Sequence, residues 1–358
     1  MTDLLYSETE DDLRAAVRSL LADRAGAQVL LGRIETGDPY VPGLWKSLAG
    51  EIGAAGLLVP EKLGGQGASH REAAVVLEEL GRAVTPVPYL TGAVVAVETL
   101  LALDTDSAPV AELLAALASG RTVAVLAVPL SAGPDTEPPT TDTVTGVADA
   151  AAADVLLVPR ADGLYAVPAA EARIEPLTPL DLTRPLSAVD ASGAAGTRLA
   201  DAATACAAIR RGLLAGAGLL ASEQLGLAEW CLEETVRHTR DRYQFNRPVG
   251  SFQALKHRMA QLWLEVVNAR AVARAAADAL AVDSPDAALT VAVAEAYCSK
   301  VAVHAAEECV QLHGGIGMTW EHPAHLALKR AKSDQIALGS AGAHQDAIAA
   351  LVGLPAPA

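Results

Sequence analysis

The residues best placed to hold an anion lie in one short stretch of an otherwise acidic chain. HTRDRYQFNRPVGSFQALKHR, residues 238–258, carries Arg240, Arg242, Arg247, Lys256 and Arg258 against Asp241 alone. The proline and glycine of NRPVG predict a break between two helices, so Arg242 projects from a helix end. There its planar guanidinium can grip a phosphate with two parallel hydrogen bonds. By charge alone a solvated basic turn explains the stretch equally well. A second stretch, QLHGGIGMTWEHP at 311–323, has the complementary character. One glycine is enough to cap a helix. Gly314 and Gly315 together, with Gly317 two residues on and Gln311 before them, let backbone N–H groups approach a flat or anionic ligand.

These residues need long helices to position them, and the sequence supplies them. The 358 residues suffice for two or three structural units. Leu13, Val17, Leu20 and Leu21, then Trp45, Leu48, Ile52 and Leu57, fall at helical intervals. Ser69 can cap a helix carrying Val75, Val76 and Leu80, which Pro86 and Pro88 end. A third helical stretch runs from Leu90 to Leu117. From Gly120 short β-branched runs alternate with proline and glycine turns, predicting a small antiparallel sheet unit with PDTEPPTTD, 134–142, as its most mobile loop. After Gly196 the helical period returns: one helix carries Leu213, Leu220 and Leu227, a second runs from Phe252 to about Leu280, and a third opens at Ser284 and Pro285 and reaches Leu312. The expected architecture is mainly α: an N-terminal helical domain (1–119), a central β domain (120–200) and a C-terminal helical bundle (201–358).

Charge and composition narrow the function. A net charge of -16 and a pI near 4.9 disfavour nucleic acid and anionic lipid, so an anionic ligand needs local positive charge. The acidic start MTDLLYSETEDDL does not resemble a secretory signal, and no uninterrupted apolar run of about 18 residues occurs, so a cytoplasmic protein with no membrane partner is expected. Cys206, Cys231, Cys298 and Cys309 form no CxxC pair and read as small buried hydrophobes, with no metal site expected.

RYQFNRPVGSFQALKH followed by QLHGGIGMTWEHP resembles the C-terminal domain of acyl-CoA dehydrogenases, flavoproteins that desaturate acyl-CoA thioesters. WKSLAGEIGAAGLLVPEKLGGQG and LEELGRA are similar to that family's first helical domain, so the resemblance covers almost the whole chain. It implies FAD as cofactor, an acyl-CoA substrate, electron-transfer flavoprotein as acceptor, and a C-terminal four-helix bundle. Carried over residue by residue, it assigns Arg242, Phe245, Gln253, Gln311, Gly314 and Gly315 to the diphosphate and adenosine end of a flavin lying mainly in a neighbouring subunit. Ser340, in GSAG, replaces a threonine near the flavin ring.

The family's chemistry needs a glutamate to remove the proton beside the thioester carbonyl, and positioned bases are worth about 10² to 10⁴ in rate. The two positions where family members carry it are Leu338 and Gly216 here, and neither can take a proton. Glu223, two turns beyond Gly216, and Glu321, after the glycine segment, are candidate substitutes, with capping or ion pairing the more economical role for each. AVPLSAGPDTEP stands where a flavin-contacting Thr-Glu-Pro motif is expected, and no tryptophan lies in 120–200. Residues for a neighbour's flavin are kept and those for the chain's own are degraded. The resemblance therefore implies the shorter, base-lacking subunit of an α2β2 enzyme whose catalytic partner supplies the base, as in members acting on fatty acid or steroid side chains. The alternatives are a self-sufficient homo-oligomer using another base or reaction, and a flavin-free scaffold.

Overall fold

Side-chain caps set where the first helices begin. Ser7 and Glu10 form a reciprocal box at the start of α1 (Glu8–Arg24), and Ser69 and Glu72 form another at α4 (His70–Ala83). Between them lie α2 (Ala27–Ile34) and a short α3 (Leu44–Lys46) that runs into a π-helical turn, Ser47–Glu51. The computed structural model describes residues 4–354. The stretch expected as one helix from Leu90 to Leu117 is broken. A π-helical segment, Tyr89–Ala96, continues into α5 (Val97–Leu101), and the turn around Asp104 separates it from α6 (Ala108–Ala118), where Ser107 and Pro109 restart the helix.

Seven strands follow: β1 (Ala124–Leu126), β2 (Thr143–Ala148), β3 (Val155–Arg160), β4 (Gly163–Pro168), β5 (Arg173–Leu177), β6 (Leu186–Asp190) and β7 (Thr197–Asp201). They form two sheets, ordered β1-β3-β4-β7 and β2-β6-β5. One pairing departs from the expected antiparallel pattern: β1 and β3 run parallel, because β2 lies in the second sheet and the chain crosses over before returning. The alternation of strand side chains explains the near-continuous apolar runs. Val125, Leu156 and Val158 face a small core between the sheets, whereas Leu126 and Leu157 join the main core shared with the helices. The return to helix also comes later than expected. Residues 197–201 are strand, and Asp201 caps α7 (Ala202–Asp241) by accepting the Thr204 N–H at 2.8 Å.

Helix α7 is the axis of the molecule, packing on α4, α8 (Gln253–Ala281) and α9 (Ala287–His313). It alone among the described helices is long and apolar enough to cross a membrane, but 61% of its most apolar window is buried inside the protein. Its contact with α4 is nearly backbone to backbone. A Cβ on Gly81 would meet the Glu223 carbonyl oxygen at 2.0 Å, and one on Gly226 the Glu78 oxygen at 1.9 Å. Helices α10 (Ala324–Asp334) and α11 (Ala341–Leu351) pack on α9 and complete the C-terminal bundle. Cys231, Cys298 and Cys309 are buried among these helices and Cys206 is exposed.

Candidate functional site

Helices α7 and α9 both end at one end of the bundle, where the His238 and His313 rings stack at 4.2 Å. Arg242 caps α7, its N–H bonded to the His238 carbonyl at 2.9 Å. Its guanidinium is exposed and has no ion-pair partner among the described residues. The break after it is a hairpin of β8 (Tyr243–Gln244) and β9 (Arg247–Pro248), turning through Phe245 at φ 52° and Asn246 at φ 63°. Left-handed backbone at two adjacent non-glycine residues is strained. It also leaves the Phe245 ring 86% exposed at the tip. Gln253 opens α8 in the open, and Arg258, one turn on, ties α8 to α9 by bonding Glu308 at 2.7 and 2.6 Å. Of the five cations in this stretch, Arg258 is thus paired and Arg247 lies over the Phe252 ring at 3.8 Å.

The glycine segment lies at the same end. Gln311 is exposed on the last turn of α9, and Gly314 leaves the helix at φ 63°. Each glycine answers differently to an added side chain. On Gly317 a Cβ would collide with the Val310 carbonyl oxygen at 2.5 Å, so internal packing requires that glycine. On Gly314 and Gly315 it would meet nothing within 4 Å, and Gly315 does not have a left-handed φ. Nothing inside the protein demands a glycine at 315. The structure therefore brings Arg242, Phe245, Gln253, Gln311, Gly314 and Gly315 to one end of the bundle.

Ser340 is not among them. It caps α11, accepting the Ala343 N–H at 3.2 Å, beside a cavity of about 700 Å³ lined in part by Asp135, Arg210, Ala288 and Ala292. These residues mark the start of α7 and of α9. The stretch of α9 from Ala292 to Gln311 measures roughly 28 Å at 1.5 Å per residue, so this cavity and the glycine segment lie at opposite ends of α9.

The two family base positions pack against each other. Leu338, in left-handed backbone at φ 52°, is held by its own N–H to the Leu130 carbonyl at 2.7 Å and by the His344 Nε2–H to its carbonyl at 3.1 Å. A Cβ on Gly216 would lie 2.6 Å from Val95 Cγ2 and 3.1 Å from Leu338 Cδ1. A glutamate at 216 has no room. The cavity beside Leu338, lined also by Thr91, Val95 and Leu130, holds only about 30 Å³, the space of about one water.

Of the substitute acids, Glu321 is exposed beyond the glycine segment and Glu223 is committed elsewhere. Glu223 Oε1 accepts from both Arg184 and Arg330 at 2.5 Å, all three fully buried, beside a cavity of about 10 Å³ that leaves no path for a substrate. Arg330 also donates to Asp181 at 2.5 Å and to the Thr183 carbonyl at 2.9 Å. Burial raises the Glu223 pKa, but the two arginines outweigh it and hold the carboxyl below its usual range. Asp334 goes the other way: burial, then repulsion from Glu223, pushes it up to about 8, and neither of its oxygens has a hydrogen-bond partner. The group thus sets two arginines against ionised Glu223 and Asp181, with Asp334 neutral. Glu223 sits in a buried ion-pair network, in keeping with the structural role that is the more economical one for it.

Two groupings escaped the sequence reading. The Asp181, Arg184, Glu223, Arg330 and Asp334 network draws on three distant segments, so no local spacing reveals it. The cluster of Glu234, His238, His313 and His322 has one local clue, the i, i+4 pair Glu234 and His238, which share a face of α7.

Comparison with known proteins identifies the family and the fold. Residues 7–121 match the acyl-CoA dehydrogenase N-terminal domain and residues 194–353 the acyl-CoA dehydrogenase C-terminal domain. The chain is 36% identical over 334 residues to acyl-CoA dehydrogenase IpdE2 of Mycolicibacterium smegmatis, covering 93% of this chain and 95% of that one. Among solved structures it is similar to a chain of the ChsE4-ChsE5 complex from Mycobacterium tuberculosis, with a TM-score of 0.86, 25% identity, and coverage of 99% and 100% of the two chains. A chain of the Tcur3481-Tcur3483 steroid ACAD G363A variant matches with a TM-score of 0.83 and 26% identity, over 97% and 98%.

Proposed function

The chain belongs to the acyl-CoA dehydrogenase family, and from that premise we propose that it is the base-lacking subunit of a heteromeric acyl-CoA dehydrogenase, holding the ADP end of FAD for a catalytic partner. The observation that carries this reading is Gly315, a glycine that nothing within the chain requires, beside an exposed and unpaired Arg242. Arg242 meets the diphosphate with a bidentate grip, the N–H groups of Gly314 and Gly315 approach it without a side chain between, and Gln253 and Gln311 offer further polar contacts. Phe245 presents a ring face to the adenosine end. FAD, when bound, supplies the two-electron acceptor for removal of hydride from the acyl chain.

The opposite end supports the same division of labour. With Leu338 filling the space over Gly216, this chain offers neither a base nor an acyl pocket at the family's positions. The partner supplies both, and Ser340 faces the flavin-ring end of a second, incomplete half-site. The relatives that are two-protein complexes, one of them titled a steroid ACAD, favour an α2β2 assembly and a bulky acyl-CoA substrate, with an electron-transfer flavoprotein as acceptor.

The test is co-expression with a base-bearing dehydrogenase subunit of the same organism, followed by flavin and mass determination. One FAD per pair of unlike chains is expected, with Arg242→Ala losing most of it. A homo-oligomer of this chain alone, with one FAD per chain and full turnover, would overturn the proposal.

A further inference from the structure

Behind the glycine segment three elements bring a carboxylate and two imidazoles together. Glu234 comes from α7, His313 is the last residue of α9, and His322 lies in the loop before α10. Glu234 Oε1 is 3.7 Å from His313 Nε2 and 3.8 Å from His322 Nε2, and the three ligand atoms lie within 4.8 Å of one another. His313 is only 5% exposed, and its Nε2 has no hydrogen-bond partner. Its tautomer is fixed from behind. Nδ1 lies 2.6 Å from the Cys309 carbonyl, a contact that requires a proton on Nδ1 and turns Nε2 toward Glu234. The carboxylate facing Nε2 is balanced either by a second proton on the ring or by a metal ion between the two atoms, and a carbonyl behind the ring is the usual support for a metal-bound histidine.

We propose that Glu234, His313 and His322 form a binding site for a divalent cation of the zinc class, which clips the glycine segment to α7. Metal bonds of about 2.0–2.2 Å in a tetrahedral arrangement put ligand atoms roughly 3.4 Å apart, so the 3.7 and 3.8 Å separations from Glu234 close by a few tenths of an ångström, and the two imidazole nitrogens, within 4.8 Å of each other, close by at most about 1.4 Å. Carboxylate with imidazole selects Zn²⁺, Co²⁺ or Ni²⁺ over Mg²⁺ and Ca²⁺.

Two existing contacts must adjust. Arg237 pairs with both Glu234 oxygens. Its side chain is 64% exposed, so it can keep Oε2 at 2.9 Å, or swing toward Asp241, while Oε1 turns to the ion. His322 Nδ1 accepts the Ala324 N–H at 3.2 Å. Binding at Nε2 moves that ring's proton to Nδ1 and gives up this long hydrogen bond. Both adjustments weaken the site relative to a preformed structural zinc centre. His238 stacks on His313 at 4.2 Å, and a fourth position is left to it or to water.

The experiment titrates the EDTA-stripped full-length chain with Zn²⁺ by calorimetry and with Co²⁺ by visible absorption. The expected result is one ion per chain, with cobalt bands typical of low coordination. Affinity should fall about tenfold or more in His322→Asn and in Glu234→Gln, and stay unchanged in His325→Asn, a neighbouring histidine outside the cluster. Zinc should raise the melting temperature of the parent chain and of His325→Asn alone. Absence of saturable binding, or equal binding by the cluster variants and the parent, would overturn the proposal. No outcome depends on flavin.

Discussion

Gly315 and Gly317 are two positions apart and have opposite reasons for being glycine. Gly315→Ala places its Cβ in open space on ordinary backbone, so the melting temperature should stay put. If its N–H approaches a diphosphate, the same change should cut flavin retention by the assembled enzyme, as read from the ratio of absorbance near the flavin band to that of protein. Gly317→Ala drives a Cβ toward the Val310 carbonyl and should destabilise by about 1–3 kcal/mol in urea. Loss of stability in Gly315→Ala without flavin loss would reduce the segment to a helix cap. Glu223 offers a parallel contrast. Glu223→Gln leaves two buried arginines short of an anion and should cost about 3–5 kcal/mol of folding stability, whereas exposed Glu321→Gln should change stability by no more than about 0.5 kcal/mol. If Glu223→Gln instead folded normally and abolished turnover of the complex, the structural reading of this acid would fail. At this scale the sequence was legible where spacing is local, as in Arg242 with Phe245 or Gln311 with Gly314. It was silent on why Glu223 is occupied, since its partners Arg184 and Arg330 lie far off along the chain.

The elements meet at that same buried network, which joins the 181–184 turn of the β region to α7 and α10. Asp334 at its centre makes the junction sensitive to pH. An unfolded aspartate titrates near about 3.9, and in the fold burial and Glu223 push Asp334 up to about 8. Between those values the folded chain holds a proton that the unfolded chain has released. Stability from this group is therefore fully present below the lower value, falls as pH rises, and is lost above the upper one, with a slope of at most about 1.4 kcal/mol per pH unit. Asp334→Asn removes the titration. Urea midpoints between about pH 5 and about pH 8 should decline more steeply for the parent than for the variant, and parallel curves would show Asp334 already ionised in the fold. The start of α4 was legible because its cap, Ser69, is local to the helix it opens. The break between α5 and α6 and the strand at 197–201 were not. Ala, Val and Leu runs suit a buried helix and a buried strand alike, and tertiary packing decides between them.

Across the whole molecule, the nucleotide end is more apolar than a free surface requires. Phe245 is 86% exposed, Met318 75%, Tyr243 61%, Trp320 59% and Ile316 47%, all on the hairpin or the glycine segment. Exposed apolar side chains gathered on two neighbouring segments suit a surface that another chain covers. The left-handed φ of Phe245 and Asn246 at its centre is held by the β8–β9 pairing across the turn, but the Phe245 ring itself meets only the edge of the Phe252 ring. The half-site reading gives both features one cause: a catalytic subunit that brings the flavin also covers the aromatic residues around its ADP end. Phe245→Glu should then prevent assembly with that subunit, seen as separate peaks in size-exclusion chromatography with light scattering. Its own melting temperature should barely move, because so little of the ring is buried. Val29→Glu, on α2 in the N-terminal region, is half-exposed outside the patch and should leave the complex intact. If Phe245→Glu assembles with full flavin content, the partner docks elsewhere, and the exposed ring needs another cause.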